Sequence, residues 1–132
     1  MRITSSAPTR IDLGGGTLDI WPLYLFHEGA QTLNAAISLR AHAEIIPRSD
    51  GRIRLESIDT EKVVDVSSWQ ALRDPPALPL LSKLAYFFRA ENLTLRTRSE
   101  SPAGAGIAGS SALNVAVCGA LAQWGAADLD AE

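Results

Sequence analysis

Gly104-Ala105-Gly106-Ile107-Ala108-Gly109 separates an alternating run, Leu93-Thr94-Leu95-Arg96-Thr97-Arg98, from a helical run opened by Ser110 and Ser111. No other stretch restricts the fold as much. Glycines at 104, 106 and 109 permit positive φ and close backbone approach, so the segment reads as a tight connection between two regular elements. The run before it alternates apolar and polar positions, as a half-buried strand does. Beyond it, Leu113, Val117, Ala120, Leu121 and Trp124 mark one face of a helix of about four turns. A strand, a glycine-rich loop and a helix N-terminus in that order let backbone N–H groups converge on an anion. Ser110 and Ser111 add hydroxyls suited to a phosphate oxygen or to a metal's coordination shell.

The residues alone leave several owners for this loop. Glycines 104, 106 and 109 satisfy the dinucleotide fingerprint Gly-x-Gly-x-x-Gly. That fingerprint needs a strand running straight into the first glycine and an acid closing another strand about 20 residues on. Here Ser99-Glu100-Ser101-Pro102 intervenes, and Asp128 and Asp130 lie in a polar segment. The Walker pattern fails because no Gly-Lys-Ser/Thr follows. A further reading is a Gly/Ala-rich turn that caps a packed helix and binds nothing.

At 132 residues, 46% hydrophobic and a net charge of −3, the chain suits one domain with its own core. Mild acidity argues against a nucleic-acid surface, which needs clustered Lys and Arg. Arg48, Arg52 and Arg54 are interleaved with Glu44, Asp50 and Glu56 and read as a solvated hairpin. The N-terminus lacks a secretory apolar stretch, and no apolar run approaches the ~20 residues that span a bilayer. These features read as a cytoplasmic protein with no membrane partner. Cys118, the single cysteine, sits in a mostly apolar run and is expected to be a buried, inert thiol. His27 and His42 show no ligand spacing. Trp21, Trp69 and Trp124 are read as packing residues, with a sugar-facing role for Trp21 as the alternative.

The remaining elements follow from pattern. Residues 8–13 form a short strand, residues 31–38 and 41–46 two more, and Asp50-Gly51 a hairpin turn into a strand over 53–58. A run over 62–66 extends these into an antiparallel meander. After Asp74-Pro75-Pro76 a helix covers about 80–90, its apolar face carrying Leu80, Leu81, Leu84, Ala85, Phe87 and Phe88. The fold class is α+β with an antiparallel-rich sheet. Residues 127–132 look like the start of a further helix, with an Asp cap and an acid in its first turn, so the chain is expected to be truncated.

Pro102 through Leu113, Pro-Ala-Gly-Ala-Gly-Ile-Ala-Gly-Ser-Ser-Ala-Leu, resembles the Pro-x-Gly-x-Gly-Leu-Gly-Ser-Ser-Ala motif of the GHMP kinases. Galactokinase, homoserine kinase, mevalonate kinase and phosphomevalonate kinase belong to that superfamily. The loop departs from the motif by one extra residue between Gly106 and the serine pair, and by Ile107 in place of Leu. Upstream, Ala7-Pro8-Thr9-Arg10-Ile11-Asp12-Leu13-Gly14-Gly15-Gly16-Thr17-Leu18-Asp19 resembles the family's first motif, Ala-Pro-x-Arg-x-x-x-x-Gly and a polar substrate-binding segment. Gly-Gly-Gly-Thr followed closely by Asp is similar to the sugar-kinase branch, especially heptose-phosphate kinases and fucokinase-like enzymes. Leu18, inserted between Thr17 and Asp19, weakens the match to any single sugar.

The resemblance implies the GHMP N-terminal domain, a ribosomal-protein-like second-domain fold, and an ATP-dependent kinase acting on a hydroxyl of a sugar or sugar phosphate. It implies ATP and Mg²⁺ as the bound species. Pro102, Gly104, Ala105, Gly106, Ile107, Ala108, Gly109, Ser110 and Ser111 would hold the β and γ phosphates. Ser111 by the family pattern, or Ser110, would approach the metal. Gly15, Gly16, Thr17 and Asp19 would hold the acceptor, and Arg10 would stabilise transition-state charge, with an Arg salt-bridged within the sheet as the alternative. The family's catalytic Asp and late glycine-rich motif match no residue of this chain. Residues 1–132 alone are therefore expected to turn over negligibly, and to expose an apolar face where a C-terminal domain packs, with self-association as a corollary. Two further readings are a catalytically dead ligand-binding module of the same fold and a mevalonate- or homoserine-type kinase.

Overall fold

The computed structural model describes residues 1–16, 18, 20–102 and 104–125. Thr17, Asp19, Ala103 and the expected helix start at 127–132 lie outside the described residues. Among the described residues, five strands form one sheet: β1 (Ile3–Gly14), β2 (Leu33–Pro47), β3 (Ile53–Ser57), β4 (Lys62–Val66) and β5 (Leu93–Ser99). Three α-helices accompany them, α1 (Leu23–Phe26), α2 (Pro79–Phe87) and α3 (Gly109–Gly125), with a 3₁₀ turn at Trp69–Leu72. This is the α+β class expected.

The spatial order is β1-β2-β5-β3-β4. β5 pairs antiparallel with β2 and parallel with β3, and the other neighbours are antiparallel. This corrects the meander. Asp50-Gly51 does turn the chain, with Gly51 at φ 77°, but β2 and β3 are not neighbours. β5 lies between them, and Arg48 N donates to the Asn92 carbonyl at 2.8 Å, where a hairpin partner would have been. The reason is burial. Leu93 and Leu95 are wholly buried and Thr97 nearly so, and such a strand is most stable at the sheet centre. Short-range turn chemistry reports a turn, not which strand occupies the neighbouring edge.

Two strands expected separately over 31–38 and 41–46 are one continuous β2, and the strand at 8–13 begins five residues earlier as β1. β1 and β2 pair from Ile3↔Ile45 to Gly14↔Leu33, with register shifts at Pro8/Arg10 and Asp12/Gly14. Pro8 is tolerated because β1 is an edge strand and needs no outward N–H there.

Odd-numbered residues at the start of β1, in the second half of β2 and along β3 and β5 face the helices. Ile3, Ala7, Ala41, Ala43, Ile45, Ile53, Leu55, Leu93 and Leu95 meet Leu81, Ala85, Ala116, Val117, Ala120 and Leu121 in one core. α3 packs across β1 and β2 through small residues, and a Cβ added to Gly119 would stand 2.9 Å from Ser5 Oγ. α2 keeps Leu81 and Ala85 inward, but Phe87 is 76% exposed at its last turn, against expectation. Phe87 lies two residues beyond Ala85, about 200° round the helix, and so faces away from the buried side of α2.

Trp69 stacks edge-on against Tyr86 (ring centroids 5.3 Å apart), and Trp124 Nε1 donates to the Glu91 carbonyl at 3.1 Å. Those two tryptophans pack as expected. Trp21 does not: it is 71% exposed, and Ile20, Leu25 and Phe26 are exposed too, as are Leu13 and Leu33 in the ends of β1 and β2. His42 has a partner, its Nε2 lying 2.8 Å from Glu100 Oε1. Cys118 is half-buried, not buried, and desolvation pushes its thiol pKa up. The arginines of the mixed-sign group are matched with acids: Arg48 with Asp50, Arg52 with Asp65 at 2.7 Å, and Arg54 with Glu56 at 2.5 Å. None of the described helices is long and apolar enough to cross a membrane.

Candidate functional site

β5 ends at Ser99, and the chain makes a loop before α3 starts at Gly109. Within it every second residue has positive φ: Gly104 at 77°, Gly106 at 69° and Ala108 at 56°. Positive φ at alternate residues is the backbone pattern from which anion-binding nests are built; the Ala105 amide donates to the Pro102 carbonyl at 3.2 Å. At Gly104 and Gly106 an added Cβ would meet nothing within 4 Å, so the loop's open side is clear. Ala108, which has a Cβ, holds the left-handed conformation at a cost of about 1 kcal/mol. Its carbonyl accepts the Ala112 amide at 3.0 Å, the first turn of α3.

The loop borders two hollows. One, of about 440 Å³, is walled by Pro102, Gly104, Ala105, Gly106, Ile107, Ala108, Gly109 and Ser110, and faces Ser57, Asp59 and Thr60 of the β3–β4 turn region. The other, of about 290 Å³, lies between β1 and α3 and holds Ala7, Pro8, Arg10, Ser111, Ala112 and Val115. Ala108 borders both. The two serines, undivided in the sequence, are divided by the fold: Ser110 lines the first hollow and Ser111 lines the second beside Arg10.

Arg10 reaches this place because β1 runs along the loop. Its backbone amide donates to the Ile107 carbonyl at 3.3 Å. Its Nε lies 3.3 Å from Asp12 Oδ1, so the salt-bridged alternative for this arginine is also realised, within its own strand. Gly16 abuts Asp12 so closely that a Cβ would come within 2.7 Å of Oδ2. Gly15, at φ 72°, presses on Gln31, where a Cβ would be 2.3 Å from the carbonyl oxygen. Its own carbonyl accepts Thr32 Oγ1 at 2.8 Å and the Leu18 amide at 2.9 Å. Gly16 thus abuts the Asp12 that pairs with Arg10, Gly15 packs on Gln31, and neither is among the residues that line the two hollows. Thr17 and Asp19 lie outside the described residues.

Asp12 and Asp59 were missed as site residues. The signal for Asp12 was its i, i+2 spacing from Arg10, which puts both on one face of a strand. Asp59 and Thr60 carry no such signal, because an ordinary hairpin turn has the same composition. Among the described residues, no group of three His, Cys, Asp or Glu is placed to hold a metal ion.

A third hollow, of about 400 Å³, lies on the open face of the sheet. Its charged groups engage each other: His42 and Arg98 with Glu100, and Arg96 with Glu44 and Glu56. Glu100 and Glu56 have pKa values lowered chiefly by hydrogen bonds from His42 and Arg54 respectively.

Residues 77–132 match the family model for the GHMP kinases N terminal domain. Over 128 residues the chain is 34% identical to the D-glycero-alpha-D-manno-heptose 7-phosphate kinase of Campylobacter jejuni, a match covering 92% of this chain and 38% of that protein. The crystal structure of a D-glycero-D-manno-heptose 1-phosphate kinase from Bacteroides thetaiotaomicron superposes with a TM-score of 0.86 at 27% identity. The chain carries a GHMP kinase N-terminal domain.

The structural match covers 98% of this chain and 44% of the Bacteroides protein. This GHMP domain therefore spans less than half the length of the relatives it matches. The stretch matched by the family model contains the whole glycine loop and α3, while the superposition takes in β1 as well.

Proposed function

We propose that this GHMP domain holds the phosphates of ATP in the glycine loop of a kinase that transfers the γ-phosphoryl group to a hydroxyl of a sugar phosphate. A heptose phosphate is the acceptor class favoured by the relatives' names. The observation that carries this reading is the nest at Gly104, Gly106 and Ala108, opening on a hollow with Ser110 at the helix start. Phosphoryl transfer asks the protein chiefly for positioning and charge stabilisation. Loop amides and the first turn of α3 would hold phosphate oxygens, with Ser110 donating a further hydrogen bond. Arg10, on the far side of Ala108 with Ser111, would place a fixed positive charge toward the transferring group. Mg²⁺, bound with the nucleotide, would neutralise phosphate charge, and Ser110 or Ser111 supplies the hydroxyl suited to its coordination shell. Gly15, Gly16, Thr17 and Asp19 would hold the acceptor.

The protein's activity as a whole rests on more than these 132 residues in this reading, and the domain alone is expected to turn over negligibly. Its exposed apolar residues around α1 would contact the rest of that protein. ADP release, measured for the protein carrying this domain with ATP, Mg²⁺ and a panel of heptose phosphates, fucose, galactose and mevalonate, tests it. Turnover restricted to a sugar or sugar phosphate supports the reading. Turnover of mevalonate alone contradicts the acceptor class, and nucleotide binding without turnover assigns the domain to a ligand-responsive module.

A further inference from the structure

We infer that Asp59 is a positioning residue for the glycine loop, its carboxylate holding the end of β5 and, through Ser99 and Ser101, the neck of the loop. The pairing of β3 with β5 ends at Ser57↔Thr97. One more backbone bond, Ile58 N to the Thr97 carbonyl at 3.0 Å, closes that ladder. The Ser99 amide therefore projects past the last residue of β3, where no strand remains to accept it. Asp59 takes that place: its Oδ2 accepts the Ser99 amide at 2.8 Å.

From Ser99 the contacts pass to the loop itself. Ser99 Oγ lies 2.8 Å from Ser101 Oγ, and the Ser101 amide donates to Ser99 Oγ at 3.3 Å. Ser101 Oγ in turn lies against Gly109, where a Cβ would be 2.5 Å away. Residues 101 and 109 are the two ends of the glycine loop, so the excursion between them is closed at its neck. One carboxylate on the β3–β4 turn thereby fixes where the nest starts and where α3 begins. Without that carboxylate the neck keeps the Glu100–Arg40 main-chain bond and the Arg10–Ile107 bond, but loses its tie to the β3–β4 turn.

The effect on nucleotide binding rests on the function proposed above; the effect on the loop does not. Hydrogen–deuterium exchange of the wild type, Asp59→Ala and Asp59→Asn tests it, with MgATP titration calorimetry on the same proteins. In Asp59→Ala, exchange over residues 99–109 is expected to rise about tenfold while β1 and β2 are unchanged. Asp59→Asn keeps an oxygen acceptor and is expected to stay within about twofold of wild type in exchange and in MgATP affinity. MgATP affinity is expected to fall about tenfold in Asp59→Ala. Unchanged exchange over 99–109 in Asp59→Ala, loosening spread through the sheet, or Asp59→Asn behaving as Asp59→Ala would each overturn the inference. Should Asp59→Ala fail to fold, Ser101→Ala, which removes one hydroxyl from the same neck, is expected to loosen 99–109 alone, and no change there overturns the inference. If no protein, wild type included, binds MgATP, the nucleotide reading fails and the exchange result still decides the role of Asp59.

Discussion

The amide of Arg10 on the outer edge of β1 donates to the carbonyl of Ile107 at 3.3 Å, joining by main chain two glycine-rich motifs far apart in sequence. Because that tie is backbone, replacing the Arg10 side chain leaves it in place. In the proposed reaction, Arg10→Ala is expected to lower kcat on the order of 100-fold or more, with the KM for ATP changed by about twofold. Arg10→Lys keeps the charge without the fork and is expected to recover only part of the loss. Steady-state kinetics of the protein carrying the domain checks this. An unchanged kcat would favour the alternative role for Arg10, an arginine paired within the sheet with Asp12.

Glycines 15 and 104 both have left-handed φ, yet their surroundings differ. An alanine at either carries a conformational cost of about 1 kcal/mol. At Gly15 the new Cβ also drives into the Gln31 carbonyl, whereas at Gly104 it meets nothing within 4 Å. Gly15→Ala is expected to lower stability by about 2 kcal/mol or more in urea denaturation, and Gly104→Ala by about 1 kcal/mol. Gly104→Ala is expected to weaken MgATP binding more than its small stability loss implies. Equal destabilisation by the two would refute this steric account.

Acid should loosen the open face of the sheet. The folded pKa of Glu56 lies below its ordinary value of 4.5, chiefly through the Arg54 hydrogen bond and next through Arg96. A depressed folded pKa means that the unfolded chain binds its proton first. The stability this carboxylate contributes is therefore present above pH 4.5 and is lost as pH falls through the folded pKa. Glu100 shifts in the same direction, held down first by His42 and then by the Arg40 amide. Urea midpoints measured below neutrality are expected to fall most steeply under pH 4.5, and less steeply in Glu56→Gln.

Cys118 should react slowly with thiol reagents. Desolvation raises its pKa, so the thiolate that reacts is scarce near neutrality. Its Sγ lies 3.7 Å from Asn114 Oδ1 on the preceding turn of α3. Alkylation at pH 7 is expected to be several-fold slower in the folded protein than in urea; equal rates would contradict the assignment.

What the sequence disclosed follows from how far each signal reaches. The glycine loop, β5 and α3 were legible because φ freedom, two-residue alternation and helical spacing are local properties. The place of β5 between β2 and β3 was not, since it depends on which strand buries Leu93 and Leu95 best against residues far along the chain. The site divides in the same way. Gly104, Gly106 and Arg10 stood out by motif, whereas the separation of Ser110 from Ser111 arises only once β1 lies along α3. Asp59 acquires meaning only when the β3–β4 turn meets the end of β5, and the exposure of Trp21, read as a packing residue with a sugar-facing role as the alternative, is not reported by an aromatic residue alone.

In the proposed function the loop between Gly104 and Gly109 receives the phosphates of ATP. Amide chemical shifts of the domain, followed by nuclear magnetic resonance as MgATP or NAD is added, test it most directly. Saturable shifts are expected at Gly104, Gly106, Gly109 and Ser110 with MgATP, and smaller or absent ones with NAD. Shifts confined to other residues, or a stronger response of the loop to NAD, would contradict it.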